Sequence, residues 1–222
     1  RWRGGLPLKH RSSIFPDDLE LFKGQKADIL VCHEAPGSHP HGFAIIDDAY
    51  PLDFVHQLVT ECTSNLNLFR DAAIQNGVVS KIRSDHILWI NKDLKIASQH
   101  IEMLDHLSKI LNQNFYLGIK QVEAHFACYN AGEFYALHRD NPQQKNDRAI
   151  SAVYYLHKEW HHDWGGQLHL QDKNDLWHIL EPKPNRIAMF RSDLLHEVLQ
   201  ANHQRLSITA WLRSNEIGRA HV

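Results

Sequence analysis

The feature that most constrains this chain is a change of hydrophobic period near residue 118. Before it, apolar residues recur at helical spacing. Leu52, Val55, Leu58, Val59 and Cys62 follow a helix-opening Pro51, and Ile101, Leu104, Leu107, Ile110 and Leu111 form a second stripe. After it the pattern shortens to strand-like runs at 120–129, 148–157, 167–171, 177–180, 186–190, 196–199 and 205–212. Turn formers separate them: Asn130-Ala-Gly132, Asp140-Asn-Pro142, Gly165-Gly166, Pro182-Lys-Pro-Asn185 and Ala201-Asn-His203. With a further short strand at Phe43-Ala-Ile-Ile46, this predicts a mainly β domain of the α+β class. The expected architecture is a jelly-roll barrel buttressed by N-terminal helices.

Composition bounds the partners. At 222 residues, 43% hydrophobic and 23% charged, the chain suits one soluble globular domain. A formal charge of -2 gives no electrostatic reason to expect nucleic acid or an anionic membrane surface. No apolar run approaches the roughly 20 residues that span a bilayer. Three scattered cysteines, Cys32, Cys62 and Cys128, point to a reducing, cytoplasmic setting without a disulfide framework. Histidine is unusually frequent, at 18, so spacing and context must separate ligands from bystanders.

The ends read differently from the middle. Residues 27–43, with Ala27-Asp-Ile-Leu-Val-Cys32 leading to His33, resemble part of a calcineurin-like metallophosphoesterase. The other motifs of a two-metal site are missing, so 1–42 is expected to be a non-functional fragment. The chain starts at Arg1 without a methionine, and 215–222 reads as a non-native tail, its last seven residues matching a translated sequencing adapter. The expected working domain is 43–214.

Within it, His138-Arg139-Asp140 precedes an Asn-Pro turn. In extended backbone, positions i and i+2 share a face, so the imidazole and carboxylate can converge while Arg139 turns away. His196 opens a later strand and can supply a third ligand. Two histidines and a carboxylate leave positions open, as in the facial triad of non-haem Fe(II) oxygenases. A closed structural zinc site would favour cysteines, and no pair is at hand. Arg205 follows His196 by nine residues across the 201–204 turn, which predicts a hairpin that aims Arg205 into the same cavity. A buried guanidinium needs an anion, and a dicarboxylic cosubstrate offers one. His125, His161, His162 and His169 read as surface or structural residues.

Taken together, Ala127-Cys-Tyr129, Tyr135-Ala-Leu-His-Arg-Asp-Asn-Pro142, Tyr154-Tyr-Leu, Trp160, Gly165-Gly, Glu181-Pro-Lys-Pro-Asn-Arg186, His196-Glu-Val, Arg205 and Trp211 resemble the prolyl 4-hydroxylase family. The likeness is greatest to the oxygen-sensing prolyl hydroxylases and their bacterial relatives. Ile82-Arg-Ser-Asp85-His-Ile-Leu-Trp89 resembles that group's Arg-Gly-Asp-x-Ile-x-Trp stretch, with Ser84 for glycine. The resemblance implies a double-stranded β-helix, with Fe(II) on His138, Asp140 and His196. It implies 2-oxoglutarate on Arg205 and Tyr155, with Tyr129 and Thr209 lining its pocket and Trp211 near the substrate. Arg83, Asp85 and Trp89 are expected at the substrate entrance.

It further implies O2 as co-reactant, succinate and CO2 as products, ascorbate as a reductant, and a prolyl residue in a protein as substrate. The same chemistry on a free amino acid or other small molecule is the alternative, as is a non-catalytic metal-binding jelly roll.

Overall fold

The computed structural model describes residues 41–72, 82–142 and 147–214. The metallophosphoesterase-like stretch, except its last residues, and the 215–222 tail lie outside the described residues. Two α-helices are present among them, α1 (Leu52–Ser64) and α2 (Lys95–Phe115). The strands are β1 (Phe43–Ile46), β2 (Arg70–Asp71), β3 (His86–Trp89), β4 (Gln121–Tyr129), β5 (Tyr135–His138) and β6 (Arg148–Tyr155). They continue as β7 (Leu168–Gln171), β8 (Trp177–Leu180), β9 (Ile187–Arg191), β10 (His196–Val198) and β11 (Arg205–Arg213).

The strands form two antiparallel sheets. The larger runs β1-β9-β6-β11-β4-β3-β2 and the smaller β5-β10-β7-β8. Their stacking is the jelly roll expected from the alternating strands and turns.

Alternation explains how one sheet serves two purposes. Leu206, Ile208, Ala210 and Leu212 of β11, with Ala124, Phe126 and Cys128 of β4, face the helices and pack on Leu58, Leu104, Leu107 and Leu111. These four leucines are at most 1% exposed, and burying each contributes about 2 kcal/mol. The odd-numbered residues of the same strands face the barrel interior. A one-residue slip would exchange the two faces.

α2 begins before its first apolar marker because Glu61 of α1 caps it. The Glu61 carboxylate accepts the N–H groups of Ile96 and Ala97 at 3.0 and 2.7 Å. An anion at that end also meets the positive pole of the helix.

The structure corrects the expected hairpin. β10 pairs with β5 and β7, whereas β11 pairs with β4 and β6, so His196 and Arg205 stand on opposite sheets. Residues 201–204 cross between sheets instead of folding one strand back on the other. The short connection looked like a turn because the gap it spans is one barrel wall to the next.

Candidate active site

His138 ends β5 and His196 begins β10, and antiparallel register places them directly opposite. Each ring is oriented by its own backbone. His138 Nδ1 donates to the carbonyl of Ala136 at 2.8 Å and His196 Nδ1 to that of Leu194 at 3.0 Å. That tautomer leaves both Nε2 lone pairs directed inward, as a metal-binding imidazole requires. Asp140 lies just past β5, with Oδ1 3.5 Å from His138 Nε2 and Oδ2 3.6 Å from His196 Nε2. Separations beyond hydrogen-bond length, with all three donor atoms within 4.8 Å, suit a shared ion.

The surroundings hold this geometry. Ser151 Oγ donates to Asp140 Oδ2 at 2.6 Å and bonds Ser192 Oγ at 2.8 Å. Tyr135 stacks on His138, with ring centroids 3.6 Å apart and planes 15° off parallel, and Arg83 lies 4.4 Å over the tyrosine. Phe190 meets His196 edge-on. Burial, then the neighbouring His138, lowers the His196 pKa to about 4, so its ring is neutral near pH 7. Burial alone would raise the Asp140 pKa. His196, His138 and the Ser151 hydrogen bond outweigh it and hold the carboxyl ionised.

A cavity opens beside the triad, lined also by Arg205, Tyr129, Thr209 and Trp211. Arg205 is 1% exposed. Its guanidinium sits 4.9 Å over Tyr129 and 5.1 Å over Tyr155, and Nη1 donates to Ser207 Oγ at 3.2 Å. Arg205 Nε and the Tyr155 hydroxyl are buried without a hydrogen-bond partner. A carboxylate bound against Arg205 and Tyr155 would satisfy both donors. Gly166 makes room for this arginine. It has φ +65°, and a Cβ there would come 2.8 Å from Arg205 Cδ.

The expected entrance residues divide. Arg83 lines the cavity and forms a two-pronged ion pair with buried Asp85 at 2.8 and 2.7 Å. Trp89 is half exposed and reaches Trp211 at 6.3 Å. Arg148 lies 3.6 Å over the other ring, Trp211.

Sequence reading missed Ser151, Ser192 and Tyr135. The signal for Tyr135 and Ser151 was strand alternation, since both face inward on β5 and β6. It also placed His125 among surface or structural residues. His125 is buried and lines the cavity, touching Trp89 and Trp211, because β4 turns its odd-numbered side chains inward. His169 is held by Glu197 at 2.8 Å and His162 by Glu181 at 2.5 Å, consistent with structural or surface roles.

Comparison with known proteins agrees with this geometry. Residues 124–213 match the 2OG-Fe(II) oxygenase superfamily, a span that holds the triad and Arg205. The crystal structure of a Pseudomonas putida prolyl-4-hydroxylase is 34% identical with a TM-score of 0.73, covering 79% of this chain and 94% of that one. The chain belongs to the 2OG-Fe(II) oxygenase superfamily. A Trichoplax adhaerens prolyl hydroxylase, solved with a hypoxia inducible factor peptide fragment, is 28% identical with a TM-score of 0.69. It covers 78% of this oxygenase and 84% of the solved chain. Egl nine homolog 1 of Mus musculus is 30% identical over 205 residues, 84% of this chain and 50% of its own length. The chain thus spans about half of that relative.

Proposed function

We propose that this chain is an Fe(II)- and 2-oxoglutarate-dependent dioxygenase that hydroxylates a prolyl residue in a protein or peptide. The observation that carries it is the pairing, in one cavity, of the His138-Asp140-His196 face with Arg205, whose Nε has no hydrogen-bond partner and whose guanidinium lies against Tyr155. Fe(II), 2-oxoglutarate and O2 would supply the oxidising power for C–H hydroxylation, with succinate and CO2 released.

The protein's part is positioning. His138, Asp140 and His196 would hold the metal on one side and leave its other positions open. Arg205 and Tyr155 would bind the remote carboxylate of 2-oxoglutarate, with Tyr129 and Thr209 along its length. Leu168, Val153, Phe190 and Val198 keep water scarce around them. Trp211, Trp89 and the Arg83–Asp85 pair would border the incoming prolyl segment. The named activities of the Pseudomonas putida and Trichoplax adhaerens proteins support a prolyl substrate.

The working domain is proposed to span 43–214, although the backbone of His41 and Gly42 already bonds to Lys173 and Arg191. A cytoplasmic setting is supported by Cys62 and Cys128, both free and buried. Ascorbate as reductant rests on the family likeness. No helix among the described residues is long and apolar enough to cross a membrane.

The test is succinate formation from 2-oxoglutarate with Fe(II) and O2, alongside mass spectrometry for a +16 Da shift on proline-containing peptides from the host. Loss of both signals in His138→Ala and Asp140→Ala is expected. Normal turnover in either variant would refute the assignment. Hydroxylation of free amino acids alone would move the substrate class to small molecules.

A further inference from the structure

Away from the cavity, a second group of two histidines and one carboxylate converges beside outer strands of the two sheets. His41 precedes β1, the edge strand of the large sheet. Asp172 follows β7, and His178 lies on β8, the edge strand of the small sheet. The Asp172 side chain is fully buried. Its Oδ1 accepts the N–H groups of Asn174 and Leu176 at 2.8 and 3.0 Å, which fixes the carboxylate plane within its own turn. Its Oδ2 is hydrogen-bonded to two imidazoles, His41 Nδ1 at 2.6 Å and His178 Nε2 at 2.8 Å, contacts that a bound cation would replace. All three donor atoms lie within 4.8 Å of one another.

We propose that His41, Asp172 and His178 form a second divalent-cation site, of the zinc class, which fastens His41, at the entry to β1, to the β7–β8 hairpin.

The donor set selects the ion. Two imidazole nitrogens and one carboxylate oxygen suit zinc and its first-row neighbours, whereas calcium and magnesium prefer all-oxygen sites. With both rings neutral, the cluster carries one negative charge toward a dication. The backbone N–H groups on Oδ1 leave Oδ2 to face the ion, the arrangement by which outer hydrogen bonds orient a ligand. Phe43, 4.8 Å from the His178 ring and 5.9 Å from that of His41, covers one side. The His41 side chain is 42% exposed, so a water can complete the coordination from solvent.

Ligands of one tetrahedral zinc stand about 3.3 Å apart, given metal–ligand bonds of about 2.0–2.1 Å. The present 2.6 and 2.8 Å contacts must therefore open by about 0.5–0.7 Å, a shift within reach of the partly exposed His41 and His178 rings. The backbone keeps that ring close. Lys173 N–H donates to the His41 carbonyl at 3.1 Å. Gly42, at φ +79°, lies where a Cβ would press 2.9 Å from Lys173 Cγ. An ion here would add a cross-link between elements of opposite sheets, beside strands that lie at the sheet edges among the described residues.

The triad would bind the same ions, so the full-length His138→Ala/Asp140→Ala variant is the starting protein. Titration with Co(II) and with Zn(II) is expected to show one equivalent bound, with visible Co(II) absorption and a rise in Tm on adding Zn(II). His178→Ala and Asp172→Asn in that background should abolish both. His41→Ala, at a partly exposed position, should weaken Zn(II) at least tenfold. Absence of stoichiometric binding in the starting variant overturns the proposal, as does binding that survives both His41→Ala and His178→Ala.

Discussion

Ser151 donates its hydroxyl to Asp140 Oδ2 across 2.6 Å, and its own oxygen is shared with Ser192 at 2.8 Å. Asp140 lies beyond the end of β5, where strand pairing no longer orients it, so this bond from β6 aims the carboxylate. Ser151→Ala should keep the fold, because it removes one small hydroxyl from an interior position. Fe(II) affinity should fall by about 10- to 100-fold, the usual cost of losing a partner of a metal ligand. Equilibrium titration with Mn(II) or Fe(II) reads this directly, and an unchanged Kd would show that Asp140 is positioned by other contacts.

Arg205 and Tyr155 make a paired prediction. Arg205→Lys keeps a charge but loses the planar fork that matches a carboxylate, so KM for 2-oxoglutarate should rise by roughly 100-fold. Tyr155→Phe removes a buried hydroxyl that has no partner within the protein. Its Tm should therefore stay level or rise, while 2-oxoglutarate binding weakens by about tenfold. A Tm loss without a binding change would make Tyr155 a packing residue.

The two glycines behind Arg205 should differ in their tolerance of alanine. A Cβ at Gly166 meets the flexible Arg205 Cδ at 2.8 Å, but at Gly165 it meets the Gln200 carbonyl oxygen at 2.3 Å. Both residues have positive φ, at +65° and +68°, so each substitution adds backbone strain. Gly166→Ala should cost about 1–2 kcal/mol and impair 2-oxoglutarate binding by displacing the arginine. Gly165→Ala must move backbone and should destabilise the protein more. Urea unfolding of the two variants checks the order.

The sequence made the barrel legible because its central strands, β4, β6, β9 and β11, are buried on two faces and its strands are broken by strong turn formers. His138, Asp140, His196 and Arg205 were legible through residue type and spacing. The route to Arg205 was not, since nothing local distinguishes a hairpin turn from a crossing between sheets. Ser151 and Tyr135 stayed hidden because a serine or tyrosine in a strand carries no mark of which side chain it meets. His41 and His178 are far apart in the chain, and the pairing of β7 with β8 and the backbone bond from Lys173 to His41 bring them to Asp172.

His100 gives the pH prediction, because it is a titratable group buried far from the ligands. It lies in α2, 1% exposed, and its Nδ1 accepts the Tyr50 hydroxyl at 2.5 Å. Burial lowers its pKa to about 3, against an ordinary value of 6.5. The unfolded chain therefore takes up a proton below pH 6.5 that the folded chain refuses until about pH 3. Stability from this residue is complete above pH 6.5 and is lost as pH falls through that window. The slope is about 1.4 kcal/mol per pH unit well below the unfolded value. His157, also held near 3 by burial, first, and by Arg205, steepens the fall. His100→Gln keeps an acceptor for the Tyr50 hydroxyl but cannot titrate. Urea unfolding between pH 7.5 and 5 should show a shallower loss in this variant by one histidine's share, and equal slopes would mean that His100 is protonated in the folded protein.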